Sequence, residues 1–270
     1  MLICATCAVE YAEPVPEVCP ICADERQYVP LDGQHWTSLD ELASNGEELT
    51  VHDLEPGMLG IRSRPSVGIG QQCIVVTTSQ GSLVWDPTGY VDDATAQRVR
   101  DLGPVLAIAA SHPHMFGVQV EWSRRLGNAP VLVAEADHGW LGRDDEAIQT
   151  WSGTREIAGG LILHQVGGHF AGSACVLWKD GADGDGVLLT GDTIFPNPDH
   201  RSVGFLRSYP NKIPLSGAVV QRIAGRLEAL SFDRIYGNFN NVIDHDGRQV
   251  VRASADRHTA WVRGDHDDLT

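Results

Sequence analysis

Two groups of residues in this chain have the types and spacing to hold metal ions. The first is spread over three segments, SHPHMFG (111–117), GGHFAGS (167–173) and TGDTIF (190–195). In extended backbone, side chains two positions apart point the same way, so His112 and His114 can reach one ion while Pro113 stiffens the turn between them. Standing alone, this His-Pro-His is weak evidence for a metal, and solvent-exposed histidines at a strand end are the simpler account. His169, flanked by glycines that allow close backbone approach, and Asp192, where a buried run breaks into a polar turn, supply two further ligands. Three neutral imidazoles around zinc leave a position for water and lower its pKa to about 7, so the chemistry expected of the set is hydrolysis.

The second group is Cys4-x-x-Cys7 followed, after eleven residues, by Cys19-Pro-Ile-Cys22. Each pair can grip one ion from a tight turn while the intervening loop closes a tetrahedron. Thiolates select zinc or iron, and a segment this short cannot build a sufficient core, so a metal would contribute its folding free energy. Free or disulfide-forming thiols are the alternative. The run CATCAVEYAEPVPEVCPIC resembles rubredoxin-like and zinc-ribbon modules. Such knuckles usually carry glycine after the second cysteine, where a positive φ is cheap, whereas Ala8 and Ala23 stand there in this chain. Zinc and iron both stay open, with a structural zinc preferred. Cys73 and Cys175 each sit in an apolar run and are expected in the core.

The elements that must position these residues are short strands: QCIVVTTS, SLVWDP, PVLAIAAS, PVLVAEA, LILHQV, SACVLWK, VLLTGD and FDRIYGN, each bounded by Gly, Pro, Asp or Asn. Helical patterns are fewer: DDATAQRVRDLG, residues 117–126, LSGAVVQRIAGRLEAL and RQVVRASADRHTAWVRG. In the third, Val219, Ile223, Leu227 and Leu230 share one apolar face. Helices interspersed among many strands indicate an α/β fold with helices layered over sheets. A boundary near Gly33 divides a cysteine module, 1–34, from a larger domain, 35–270, entered through a linker and a short helix.

The order His-x-His, His, Asp, with YGNFN (236–240) as a fourth motif, resembles the metallo-β-lactamase superfamily over roughly residues 50–245. That resemblance implies a four-layer αβ/βα sandwich with the motifs along one edge and His112, His114, His169 and Asp192 as metal ligands. It also marks departures. The family's first motif commonly continues His-x-His-x-Asp-His, but Phe116 and Gly117 occupy the last two positions, and Asn238 stands where the fourth motif usually has histidine. The main ligands of a second metal are thereby lost, and one zinc is expected. The implied roles are Asp192 orienting or deprotonating water and Asn238 donating to the developing oxyanion, on a small ester, thioester or lactone.

Two rival readings come from other classes. Flavodiiron proteins combine a similar domain with rubredoxin elements, but their di-iron site needs carboxylates in the first motif and a later histidine, which this chain lacks. A non-catalytic metal-binding or scaffold protein with a decayed site is the other. The net charge of −16 and pI near 4.9 argue against a nucleic acid partner. A small-molecule substrate is expected, and the oligomeric state is not readable. Without an apolar run of membrane-spanning length or a signal-peptide start, a cytoplasmic, non-membrane protein is expected.

Other residues carry smaller expectations. Glu135, Asp137 and His138 are possible replacement ligands for a second metal, though a solvated loop is the simpler account. Asp199, His200 and Arg201 are placed at a cleft edge, and Arg207, Tyr209 and Lys212 near a substrate's anionic group, with an ordinary exposed loop as the alternative. His164 is read as a strand residue, and Trp122, Trp151 and Trp178 as packing.

Overall fold

The computed structural model describes all 270 residues. The eight expected strands lie in two facing sheets, joined there by five others. The first has seven strands in the order Ile148–Trp151, Val131–Ala134, Val105–Ala109, Gly81–Trp85, Cys73–Thr78, Met58–Arg64, Glu48–Glu55. The four from Ile148–Trp151 to Gly81–Trp85 run parallel, and the remainder are antiparallel. The second has six strands, Thr154–Ala158, Leu161–Gln165, Ala174–Trp178, Val187–Leu189, Arg234–Tyr236 and Val242–Ile243 in that order.

Alternation along single strands explains the layering. Ile74 and Val76 pack between the sheets against Leu161, Leu163, Val176 and Leu189, whereas Cys73 and Val75 face the other way, toward Val99 and Trp122 of the helices Asp93–Arg100 and Gln119–Arg125. On the far side, Cys175, Leu177 and Leu188 meet Val220, Ile223 and Leu227 of Gly217–Leu227 and Val251 of Gly247–Arg263. The result is helices, sheet, sheet, helices, the four-layer sandwich that the motifs implied. Trp122, Trp151 and Trp178 are buried in it, as are Cys73 and Cys175.

The cysteine segment folds as a three-stranded sheet of Glu10–Tyr11, Leu2–Cys4 and Trp36–Thr37, with a short helix Pro20–Ala23. Its apolar residues Ile3, Val9 and Ile21 belong to the same core as Ile61, Val75 and Trp122. The contact is close: a Cβ on Gly89 would lie 2.2 Å from Ala8 Cβ. Ala8 itself has φ +64, so the first knuckle adopts the left-handed turn without glycine, at a cost of about 1 kcal/mol. Ala23 has no such conformation, because the second knuckle continues from a helix into extended backbone at Asp24.

Candidate metal centre

Each ligand of the histidine set stands just beyond a strand's carboxyl end. His112 and His114 follow Val105–Ala109, His169 lies in the turn between Leu161–Gln165 and Ala174–Trp178, and Asp192 follows Val187–Leu189. All four are buried, and their ligand atoms lie within 4.8 Å of one another. His114 Nδ1 is 3.3 Å from His169 Nε2, while Asp192 Oδ2 is 3.6 Å from His112 Nε2 and 3.8 Å from His169 Nε2. A tetrahedral ion with bonds of about 2.0–2.1 Å sets its ligand atoms about 3.3 Å apart, so the set is nearly closed around an ion-sized centre.

The outer contacts decide which nitrogens face that centre. His169 Nδ1 meets the Leu206 carbonyl at 3.0 Å, and His112 Nδ1 meets Ser111 Oγ at 2.9 Å. The Nε2 atom of each ring is thereby left to point inward, and His112 Nε2, like Asp192 Oδ1, has no protein partner. Ser111 is in turn gripped by Asp86, which accepts from its backbone N–H at 2.6 Å and its hydroxyl at 3.1 Å. Asp86 and Ser111 were not among the residues singled out from sequence; the polar end of the SLVWDP strand was the available signal.

Burial sets the protonation states. Loss of water holds His112 and His114 well below the ordinary imidazole range, and brings His169 down to about 4. Neutral imidazoles are what a metal requires. Burial pushes Asp192 up to about 7, against the pull of Asn238. Phe170 packs against all three imidazoles, with ring centroids 5.0–5.7 Å away.

Asn238 is buried beside Asp86 and Asp192, yet neither amide atom completes a hydrogen bond of good geometry. It does not line the open cleft of about 480 Å³ above the site, whereas the neighbouring Phe239 does. The replacement ligands for a second metal do not join the set. Glu135 and His138 are exposed, and Asp137 Oδ1 instead accepts the Gly172 N–H at 2.8 Å, bracing the His169 turn. Burial pushes Asp137 up to about 6. Gly117 has φ +53, and a Cβ there would lie 2.2 Å from the Pro87 carbonyl oxygen, so no ligand side chain fits where the family usually has one.

Of the loop residues, Tyr209 lines the cleft and donates to the Asp192 carbonyl at 2.8 Å. Asp199 is turned onto its own loop, accepting from Arg201 and Ser202, while His200 and Lys212 are exposed, and none of these lines the cleft. Arg207 pairs with Glu25 and lines a separate, larger groove of about 880 Å³ that also takes in His164 and contains no metal ligand.

The four cysteines form a second cluster. Cys4 and Cys22 sulfurs are 3.6 Å apart and Cys7 and Cys19 sulfurs 3.7 Å, too far for disulfides. A tetrahedral thiolate site with bonds of about 2.3 Å sets its sulfurs about 3.8 Å apart. Hydrogen bonds from Cys19, Cys22 and Cys7 pull the Cys4 thiol well below its usual value. Gln34 Nε2 donates to Cys4 Sγ at 3.2 Å, and the Tyr11 hydroxyl lies 3.2 Å from Cys19 Sγ.

Comparison with known proteins agrees with this geometry. The sequence model of the metallo-β-lactamase superfamily matches residues 67–257. An uncharacterized protein of Bacillus subtilis (strain 168), YmaE, is 38% identical over 260 residues, covering 95% of this chain and 94% of its own. Among solved structures, VMB-1 superposes with a TM-score of 0.57 at 13% identity, covering 80% of this chain and 98% of its own. A metallo-β-lactamase from Pontibacter korlensis gives 0.55 at 14% identity, with 78% and 99% covered. The metallo-β-lactamase FIM-1 from Pseudomonas aeruginosa, in its mono-zinc form, gives 0.52 at 14% identity, with 78% and 96% covered. No helix is long and apolar enough to cross a membrane.

Proposed function

Because this chain belongs to the metallo-β-lactamase superfamily, we propose that it is a zinc-dependent hydrolase with one ion at the histidine site, acting on a small ester, thioester or lactone. The observation that carries this reading is the convergence of His112 Nε2, His114 Nδ1, His169 Nε2 and Asp192 Oδ2 beneath an open cleft. A zinc ion in that set supplies a Lewis acid for the substrate carbonyl and brings the pKa of water near 7.

The chain's own residues supply the remaining steps. The Leu206 and Ser111 contacts keep His169 and His112 in the ligating tautomer. Asp192 Oδ1, free of other partners, takes the proton of the attacking water and returns it to the leaving oxygen or sulfur as the acyl bond breaks. Asn238 packs beside Asp192 and away from the cleft wall, so it lies behind the carboxylate rather than against the substrate. A single ligand set favours acyl transfer to water over phosphodiester cleavage, where two metals clamp the attacking and leaving oxygens. The cysteine cluster would hold a structural zinc, and the absence of disulfides among the six cysteines suits the reducing cytoplasm.

The test is turnover of a panel of 4-nitrophenyl esters, acyl thioesters and lactones by the zinc-loaded protein. Asp192→Asn is expected to lower kcat/KM by at least about 100-fold on any substrate found. No turnover across the panel by protein shown to hold zinc at the histidines would favour a non-catalytic metal-binding role.

A further inference from the structure

The chain immediately after the second cysteine knuckle runs into the histidine site. Arg26, four residues beyond Cys22, donates through Nε to the backbone carbonyl of His169 at 2.7 Å. Its guanidinium lies over the Phe170 ring, 4.1 Å from the centroid, and is held by Asp24 Oδ1 at 2.6 Å. The Arg26 carbonyl accepts from Ser208 Oγ at 3.1 Å, and Asn211 Nδ2 reaches the Glu25 and Gln27 carbonyls at 2.9 and 3.2 Å. The strand that supplies Ser208 also supplies the Leu206 carbonyl that orients His169. Arg26, His169 and the Leu206–Ser208 strand therefore close a ring of contacts.

The same segment borders the cleft. Arg26, Gln27 and Tyr28 line it together with His114, His169 and Asp192. Tyr28 is 53% exposed, whereas Gln27 is 5% exposed and its Oε1 has no partner. Facing them are Ile69, Phe195, Tyr209 and Phe239, an apolar and aromatic surface. Arg26 offers the cleft little free charge, because Asp24, the His169 carbonyl and Phe170 already engage it.

We propose that the cysteine segment is a working part of the histidine site: Arg26 positions the His169 turn for metal binding, and Tyr28 with Gln27 forms a cleft wall selecting a substrate with an apolar acyl group. This rests on the reading that the histidines bind a metal. Arg26 is a positioning residue, acting through His169, while Tyr28 contacts the acyl group directly.

Cobalt(II) titrated into the metal-depleted full-length protein separates the two sites, because only the cysteine site gives sulfur-to-metal charge-transfer bands. Arg26→Ala is expected to keep those bands and to weaken cobalt at the histidines about tenfold, with altered ligand-field bands; Arg26→Lys, which still donates to the His169 carbonyl, recovers part of the affinity. Phenylacetate and succinate, as product-like probes, are then titrated into the cobalt protein. Phenylacetate is expected to shift the histidine-site bands at lower concentration than succinate, and Tyr28→Ala to weaken it about fivefold. Wild-type affinity and spectrum in Arg26→Ala would overturn the positioning role, and preference for succinate or an unaffected Tyr28→Ala would overturn the apolar wall. Failure of the wild-type histidines to bind cobalt would sink the hydrolase reading first, before any variant is made.

Discussion

His169 Nδ1 lies 3.0 Å from the carbonyl oxygen of Leu206, and a carbonyl can only accept, so the ring proton belongs on Nδ1 and Nε2 is left as a lone pair toward Asp192. Residues 37 positions apart thus fix one tautomer before any metal arrives. The Asp86, Ser111 and His112 chain performs the same task for a second ligand.

That chain makes a prediction for Ser111→Ala. The variant removes the partner of His112 Nδ1 and both leaves a buried ring nitrogen unpaired and deprives Asp86 Oδ2 of its donor. Metal affinity at the histidines should fall about 10–100-fold, and stability by about 1–3 kcal/mol. Competition with a chromophoric chelator and urea unfolding read the two effects; a full-affinity variant would remove Ser111 from the account.

Gly117→His restores the family's usual residue type at that position, yet it should not restore a second metal. The left-handed φ and the Pro87 carbonyl 2.2 Å from a new Cβ require the backbone to shift. A loss of about 2 kcal/mol or more is expected, with metal content at the histidines no higher than in the wild type. A stable variant that gains an ion would show that the first motif is not sterically closed.

Much of this was legible in sequence because the information is local. An apolar strand ending in a ligand reads the same from residues as from coordinates, and His112, His114, His169 and Asp192 come together from their strand ends. Five strands of the two sheets, Glu48–Glu55, Met58–Arg64, Ile148–Trp151, Thr154–Ala158 and Val242–Ile243, were not anticipated; Glu48–Glu55 is a half-exposed edge whose charges at Glu48, Asp53 and Glu55 mask its alternation, and Val242–Ile243 is only two residues long. Contacts between distant segments were also hidden. Nothing near Arg26 in the chain announces that its guanidinium will meet His169, 143 residues away, and nothing near Asn238 shows that it faces carboxylates behind the cleft.

Removing the cysteine-bound metal should disturb more than the first 37 residues. Ala8 packs against Gly68 and Gly89, and Ile3, Val9 and Ile21 share the core of the first sheet. Hydrogen exchange of chelator-treated protein should therefore show lost protection in the segments around Gly68 and Gly89 as well as in Leu2–Cys4. Loss confined to the cysteine segment would mean that it folds as an independent unit.

Glu10 links stability to pH. Its carboxylate accepts from the Val120 N–H at 2.6 Å and from Arg143 at 2.9 Å, yet burial pushes its pKa up to about 7. The folded chain then keeps a proton that the unfolded chain releases near the ordinary glutamate value, about 4.3. The group's contribution is full below that value and is lost as pH rises through about 7. The stability advantage of wild type over Glu10→Gln should shrink between pH 5 and 7.5 in urea unfolding; an advantage that stays flat over that range would show the carboxylate to be ionised throughout.

The most direct measurement is metal stoichiometry by elemental analysis of the full chain, beside His112→Ala and Cys22→Ser. Two zinc ions per wild-type chain are predicted, with His112→Ala keeping one, visible as the cysteine-bound ion, and folded Cys22→Ser keeping the ion at the histidines. One ion per wild-type chain, unchanged in His112→Ala, would contradict a metal centre at the histidines, and three ions would contradict a single-metal site.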